Sequence, residues 1–100
     1  MNNQDVVIQL TVNNHPGVMS HITGLFTRRA FNLEGILCGR LGNGKISRIY
    51  LLVKKDQRLD QIIKQLEKLY DVSEVLVCED YNHKIFDDIH KLIKSDDVKK

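Results

Sequence analysis

Two short turns in the first third of the chain carry the residue types best suited to holding a small charged molecule. Asn14-x-Pro16-Gly17 follows an apolar run and opens a helical pattern, and Phe31-Asn32-Leu33 closes that pattern. An asparagine side chain donates and accepts hydrogen bonds at once, so it can meet an amine or a carboxylate. A helix N-terminus adds N–H groups and a partial positive charge, which suit a carboxylate. Gly17 has no Cβ and lets a ligand approach the backbone closely. Val18 and Leu33 offer an apolar wall for an aliphatic side chain. The set describes a grip on a molecule that carries both an amine and a carboxylate. The same residues also suit an ordinary turn and helix cap, and residue type alone does not separate the two readings.

Other chemistries find less support. The histidines, His15, His21, His83 and His90, are scattered, and no Ser/His/Asp or Cys/His set or paired carboxylates stand beside them. No carboxylate or thiolate is spaced to complete a zinc site with His15 and His21. The expectation is a chain with no catalytic residues, no metal site and no cofactor of its own. Nucleic-acid binding is not expected either, because the first and third β-rich runs hold a single aromatic, Tyr50, as a stacking platform. The loop after the first strand, NNHPGV, has no cysteine for a metal-carrying role.

Length and charge narrow the class. One hundred residues suffice for one domain with a single core. A net charge of +2 is too small to argue for nucleic acid, although residues 1–57 carry +4 and residues 58–100 carry −2. Cys38 and Cys78 lie in apolar runs outside any C-x-x-C pair, which reads as buried reduced thiols in a cytoplasmic protein. No basic start is followed by an apolar stretch, and no run approaches the ~20 residues that span a bilayer.

The elements that must position the two turns follow from periodicity. Val6–Val12 is β-rich and reads as a strand. Pro16 suits a first helical position, with His15 or Asn14 as cap. Val18, Met19, Ile22, Leu25, Phe26 and Ala30 then form a helical stripe, with Arg28 and Arg29 in its last turn. Asn32 to Leu41 reads as a second strand, Gly42-Asn43-Gly44-Lys45 as a hairpin turn, and Ile46–Lys54 as its antiparallel partner. Arg58 to Tyr70 forms a second helix with Tyr70 on its apolar face, and Val72–Cys78 a fourth strand. The order βαββαβ predicts an α+β, ferredoxin-like domain over residues 1–79, a four-stranded antiparallel sheet with both helices on one face. The other face and an edge are left uncovered. Because the first two strands are apolar rather than guarded by charge, a second copy or a larger partner is expected there.

Residues 80–100 differ in character. After the connector Asp80–His83, Ile85, Phe86, Ile89, Leu92 and Ile93 fall at helical spacing with a charged back, followed by a tail of Asp and Lys. A short amphipathic helix over 83–94 is expected, packed on its own sheet or docked on a partner protein.

At this point a resemblance applies. N-x-P-G-V at a strand–helix junction within a βαββαβ order is similar to the ACT domain, a module that binds amino acids in metabolic regulation. The longer runs HPGVMSHITGLFTRRAFNLEGILC (15–38) and LLVKKDQRLDQIIKQLEKLYDV (51–72) closely resemble the small regulatory subunits of acetohydroxyacid synthase (acetolactate synthase) of the isozyme I type. The similarity spans residues 6–78, and G-L-F-x-R-R-x-F-N is its most specific element. It implies a homodimer and a catalytic large subunit that carries thiamine diphosphate, magnesium and FAD. That subunit condenses two pyruvates, or pyruvate with 2-oxobutyrate. The small subunit activates it and confers feedback inhibition by L-valine. Carried over by motif, Asn14, Gly17 and Val18 of one chain and Asn32 and Leu33 of its partner would bind valine, with Met19 as a further wall. Longer members of the family have a second C-terminal domain that this chain lacks, and GNGK is a shorter hairpin than many. The residues after Cys78 match only loosely, so the resemblance leaves the surface that meets the catalytic subunit open.

Overall fold

Alternation of β-branched and aliphatic residues decides where the sheet lies. In a computed structural model, which describes residues 5–14 and 16–79, the element order is β1 (Asp5–Asn13), α1 (Val18–Arg28), β2 (Gly35–Leu41), β3 (Ile46–Lys54), α2 (Leu59–Glu67) and β4 (Val72–Cys78). The strands form one antiparallel sheet in the order β2-β3-β1-β4. This is the α+β, ferredoxin-like arrangement expected from the pattern of elements.

Side chains two apart on a strand share a face. On β1 the members Val6, Ile8, Leu10 and Val12 are buried with Ile49, Leu51 and Val53 of β3. Ile22, Leu25 and Phe26 of α1 and Leu59, Ile62 and Leu66 of α2 belong to the same cluster. Both helices therefore cover one face of the sheet. The two central strands carry most of the core because two helices span only the middle of four strands. At the edges on this same face, Ile36 of β2 and Val77 of β4 remain exposed.

Several boundaries and placements differ from expectation. Pro16 is not the first helical residue: α1 starts at Val18, and Gly17 occupies the cap position with φ +91°. Among the described residues no side chain caps the helix, and the Asn14 amide donates to the Gly44 carbonyl instead; His15, the other expected cap, lies outside the described residues. β2 begins at Gly35 rather than Asn32, leaving residues 32–34 as loop. Ala30 leaves the α1 stripe, with φ +53° beyond the helix end. α2 ends at Glu67, and Tyr70, placed by periodicity on its apolar face, is 93% exposed in the turn that follows. The first strand is central and not an edge; the edges are β2 and β4. Cys38 is exposed and Cys78 half-buried, because both sit on those edge strands. The expected 83–94 helix lies outside the described residues.

Candidate functional site

The first turn is built from the end of β1. The Asn13 backbone N–H donates to the Asp71 carbonyl at 2.8 Å and that of Asn14 to the Lys45 carbonyl at 2.9 Å. The Asn14 side-chain Nδ2 donates to the Gly44 carbonyl at 2.7 Å. Asn14 thus ties the loop to the β2–β3 hairpin with its amide nitrogen. Gly17 is exposed, and a Cβ placed on it would meet nothing within 4 Å, so the backbone there is open to solvent. Its φ of +91° is what requires glycine. The first turn of α1 holds no acidic side chain, and among the described residues none caps it, so its own first turn brings no carboxylate to the positive end of the helix.

Val18 is buried in the core cluster and also lines a cavity of about 220 Å³ with His21, Leu69 and Val72. Its side chain therefore points under the turn, toward the segment that joins α2 to β4. Met19 is partly buried against the same core.

The second turn is locked from several directions. The Phe31 N–H donates to the Phe26 carbonyl at 2.9 Å and the Ala30 N–H to the Thr27 carbonyl at 3.0 Å, with Ala30 left-handed between them. This is a Schellman termination, and the aromatic contact that accompanies it is edge-on, Phe26 to Phe31 at 5.9 Å between centroids. The Arg58 guanidinium lies 5.1 Å from the Phe31 ring centroid and donates to the Arg29 carbonyl at 2.7 Å. Arg58 in turn pairs with Asp56, which holds the Asp56 carboxyl below the usual carboxylate range. Periodicity gave no sign of Arg58 as a clamp; only its position before α2 in space reveals it. Asn32 is exposed and its Nδ2 donates to Glu34 Oε2 at 2.9 Å, while Leu33 packs partly buried against the core.

The strand register shows how these turns relate. β1 and β2 both run antiparallel to β3, so they start at the same end of the sheet: Asp5 opposes Lys54, and Gly35 opposes Leu52. They also end together, with Asn13 and Leu41 both opposite Ile46. Asn14 follows the end of β1, and Asn32 precedes the start of β2. One chain therefore carries the two turns at opposite ends of the sheet, about 20 Å apart at the usual rise per strand residue. It does not bring them together. Among the described residues no group of three or more His, Cys, Asp or Glu could hold a metal, and no helix is long and apolar enough to cross a membrane.

The βαββαβ sheet with a glycine turn opening α1 is that of an ACT domain, because residues 8–74 match the family model described as an AHAS small subunit-like ACT domain. The regulatory subunit of aspartate kinase from Thermus thermophilus has the same fold, at 20% identity and a TM-score of 0.67 over 79% of this chain and 53% of that one. The chain belongs to the acetohydroxyacid synthase small-subunit family. It is 58% identical over 71 residues to the acetolactate synthase isozyme 1 small subunit of Escherichia coli K12, covering 71% of this chain and 74% of that protein. A probable acetolactate synthase small subunit of Methanothermobacter thermautotrophicus is 44% identical over 70 residues, but the match spans only 42% of its length. The acetolactate synthase small subunit of Thermotoga maritima superposes with a TM-score of 0.66 at 36% identity, covering 74% of this chain and 47% of that one. Membership makes this a regulatory chain, not a catalytic one.

Proposed function

We propose that this chain docks on the catalytic subunit of acetohydroxyacid synthase in the cytoplasm, activates it, and makes it sensitive to feedback inhibition by valine. The catalytic subunit supplies thiamine diphosphate, magnesium and FAD and carries out the condensation. Valine is held between two copies of this chain, by Asn14, Gly17 and the backbone of Val18 from one and by Asn32 and Leu33 from the other. The valine carboxylate meets the N-terminus of α1, which carries no acid of its own.

The observation that supports a shared site is the opposite placement of the two turns on one sheet. Pairing two β2 edges antiparallel about a two-fold axis sets the start of each β2 beside the end of the other. Asn32 of the partner subunit then approaches the Asn14 turn. The β2 edge suits such pairing: among the described residues no strand lies on its outer side, and it exposes Ile36 and Cys38. Inhibition then needs only that valine favour one docked state of the pair, a coupling of about 1–3 kcal/mol.

The test is the synthase reconstituted from catalytic subunit and this chain, assayed with and without L-valine. Asn14→Ala and Asn32→Ala are each expected to abolish inhibition, and an equal mixture of the two variants to recover part of it. Recovery follows because a mixed dimer keeps one intact site, made from the unaltered turn of each chain. Failure of the mixture to recover would sink the shared site. Stimulation with no valine response in the unaltered chain would leave a purely structural activator. Valine binding without stimulation would point to an amino-acid sensor with another partner.

A further inference from the structure

The edge offered by β2 carries opposite charges at its two ends. Ile36, Cys38 and Arg40 alternate on the helix-covered face, opposite Leu51, Ile49 and Ser47 of β3. Ile36 and Cys38 are exposed, so this rim presents apolar surface and, at the hairpin end, a cation. The Arg40 side chain runs on past the end of β2: a Cβ built on Gly44 would stand 3.7 Å from Arg40 Cδ and 3.9 Å from its Nη1. Among the described residues no acidic side chain pairs with Arg40. At the other end Glu34, the residue before β2, is exposed and stays beside β3, its N–H donating to the Leu52 carbonyl at 2.8 Å. Its Oε2 accepts from Asn32 Nδ2 at 2.9 Å, and no cation among the described residues pairs with its carboxylate. One strand thus holds a guanidinium and a carboxylate apart, each without an opposite charge beside it among the described residues.

We infer that Arg40 of each copy pairs with Glu34 of the partner subunit across two antiparallel β2 edges. The inference rests on the reading in which two copies share that edge, and it names the charged contact that latches them. Only a two-fold axis normal to the sheet joins two copies of one edge antiparallel, so both copies turn their helix-covered faces the same way. Side chains that alternate on that face therefore meet one another. Full overlap of Gly35–Leu41 with its copy sets Cys38 on the axis and Ile36 of the partner subunit opposite Arg40. It sets Glu34 of the partner subunit opposite Gly42, the residue after β2. Arg40 and that carboxylate are then diagonal neighbours, about 7–8 Å apart along the backbone and within reach of a long side chain. The lean of Arg40 toward Gly44 carries its guanidinium in the direction of the carboxylate. On the way its aliphatic stem covers the partner's Ile36, apolar surface that one copy leaves in water. The symmetry makes the contact twice, once on each side of the axis. It also reaches the shared site: Glu34 holds the Asn32 amide nitrogen, and Arg40 lies against Gly44, whose carbonyl holds that of Asn14. The ion pair therefore ties together the two turns that valine has to bridge.

Charge exchange in the full chain tests this, with association read by sedimentation equilibrium in the absence and presence of L-valine. Arg40→Glu sets acid against acid and Glu34→Arg base against base, at both contacts of the dimer. Each is expected to raise the dimer dissociation constant about tenfold or more, because attraction becomes repulsion twice over. Lys64→Glu, the same change of net charge placed on α2, is expected to leave it unchanged. Mixing the Arg40→Glu and Glu34→Arg chains restores opposite charges at both contacts, so native mass spectrometry is expected to show the mixed dimer in excess of either homodimer. Single variants that associate as tightly as the unaltered chain would overturn the ion pair and leave the shared edge standing. Weakened variants whose mixture stays monomeric would overturn it too, since the substitutions would then act on the fold and not on each other. An unaltered chain that stays monomeric with and without valine would sink the shared edge itself, and the ion pair with it.

Discussion

The two asparagine turns have similar residues and opposite construction. The Asn14 turn is tethered by backbone and amide hydrogen bonds to the β2–β3 hairpin and to Asp71, but its glycine, its exposed surface and its uncapped helix leave the inner side open. The Asn32 turn is closed by a left-handed Ala30, an aromatic pair and an arginine stacked on Phe31. One turn presents an exposed glycine at the start of a helix, and the other is fixed by its packing. A site made from one of each joins an adaptable half to a rigid half, and only the rigid half contributes much to the stability of the fold.

The largest expected effect comes from breaking the rigid half. Phe31→Ala removes a buried ring, its edge-on contact with Phe26 and the surface on which Arg58 rests, and should cost about 3–5 kcal/mol. Against a typical total of about 5–15 kcal/mol, that is enough to unfold much of the population, read as a shift in the urea midpoint. An unchanged midpoint would mean that the second turn is not a structural lock.

A smaller pair of effects should have opposite signs. Gly17→Ala forces a Cβ onto a backbone at φ +91° and is expected to lose about 1–2 kcal/mol, while Ala30→Gly relieves the same strain at φ +53°. The gain at Ala30 is held to about 1 kcal/mol or less, because glycine also loosens the unfolded chain. Melting temperatures should then move in opposite directions, by a few degrees each. If both fall, the left-handed conformation at Ala30 is not the termination described.

The smallest effect concerns acid. Asp56 titrates below the usual carboxylate range because Arg58 donates hydrogen bonds to it. A carboxylate with a lowered folded pKa adds stability above its unfolded value, near 3.8, and that contribution fades as the pH falls through the lower folded value. The pair lies at the surface, where solvent screens it, so only a shallow decline in melting temperature below about pH 4 is expected. Asp56→Asn should flatten it, and an identical decline in the variant would remove the pair from the account.

Much of the fold was legible in the chain, for a reason visible in particular residues. Val6, Ile8, Leu10 and Val12 alternate, and Ile22, Leu25 and Phe26 recur at helical spacing, because burial against one shared core imposes those periods. Cys38 and Tyr70 were misplaced by the same reasoning. An apolar neighbourhood in sequence does not reveal that Cys38 falls on an edge strand, nor periodicity that α2 stops at Glu67 and leaves Tyr70 in the turn. Asn14 is not the cap because its amide had two possible partners, and the hairpin carbonyl of Gly44, thirty residues away, takes it.

By itself, then, the sequence determined the elements, their order, the core residues and the two turns that carry the polar chemistry, since each depends on local propensity and short-range period. The tertiary structure alone decided that β1 is central, that β2 and β4 are edges, and that the two turns stand at opposite ends of the sheet. Strand order and register are set by pairings between residues far apart in the chain, which no local pattern encodes. Those pairings make a ligand grip within one copy impossible at these two turns and direct the search for it to a pair.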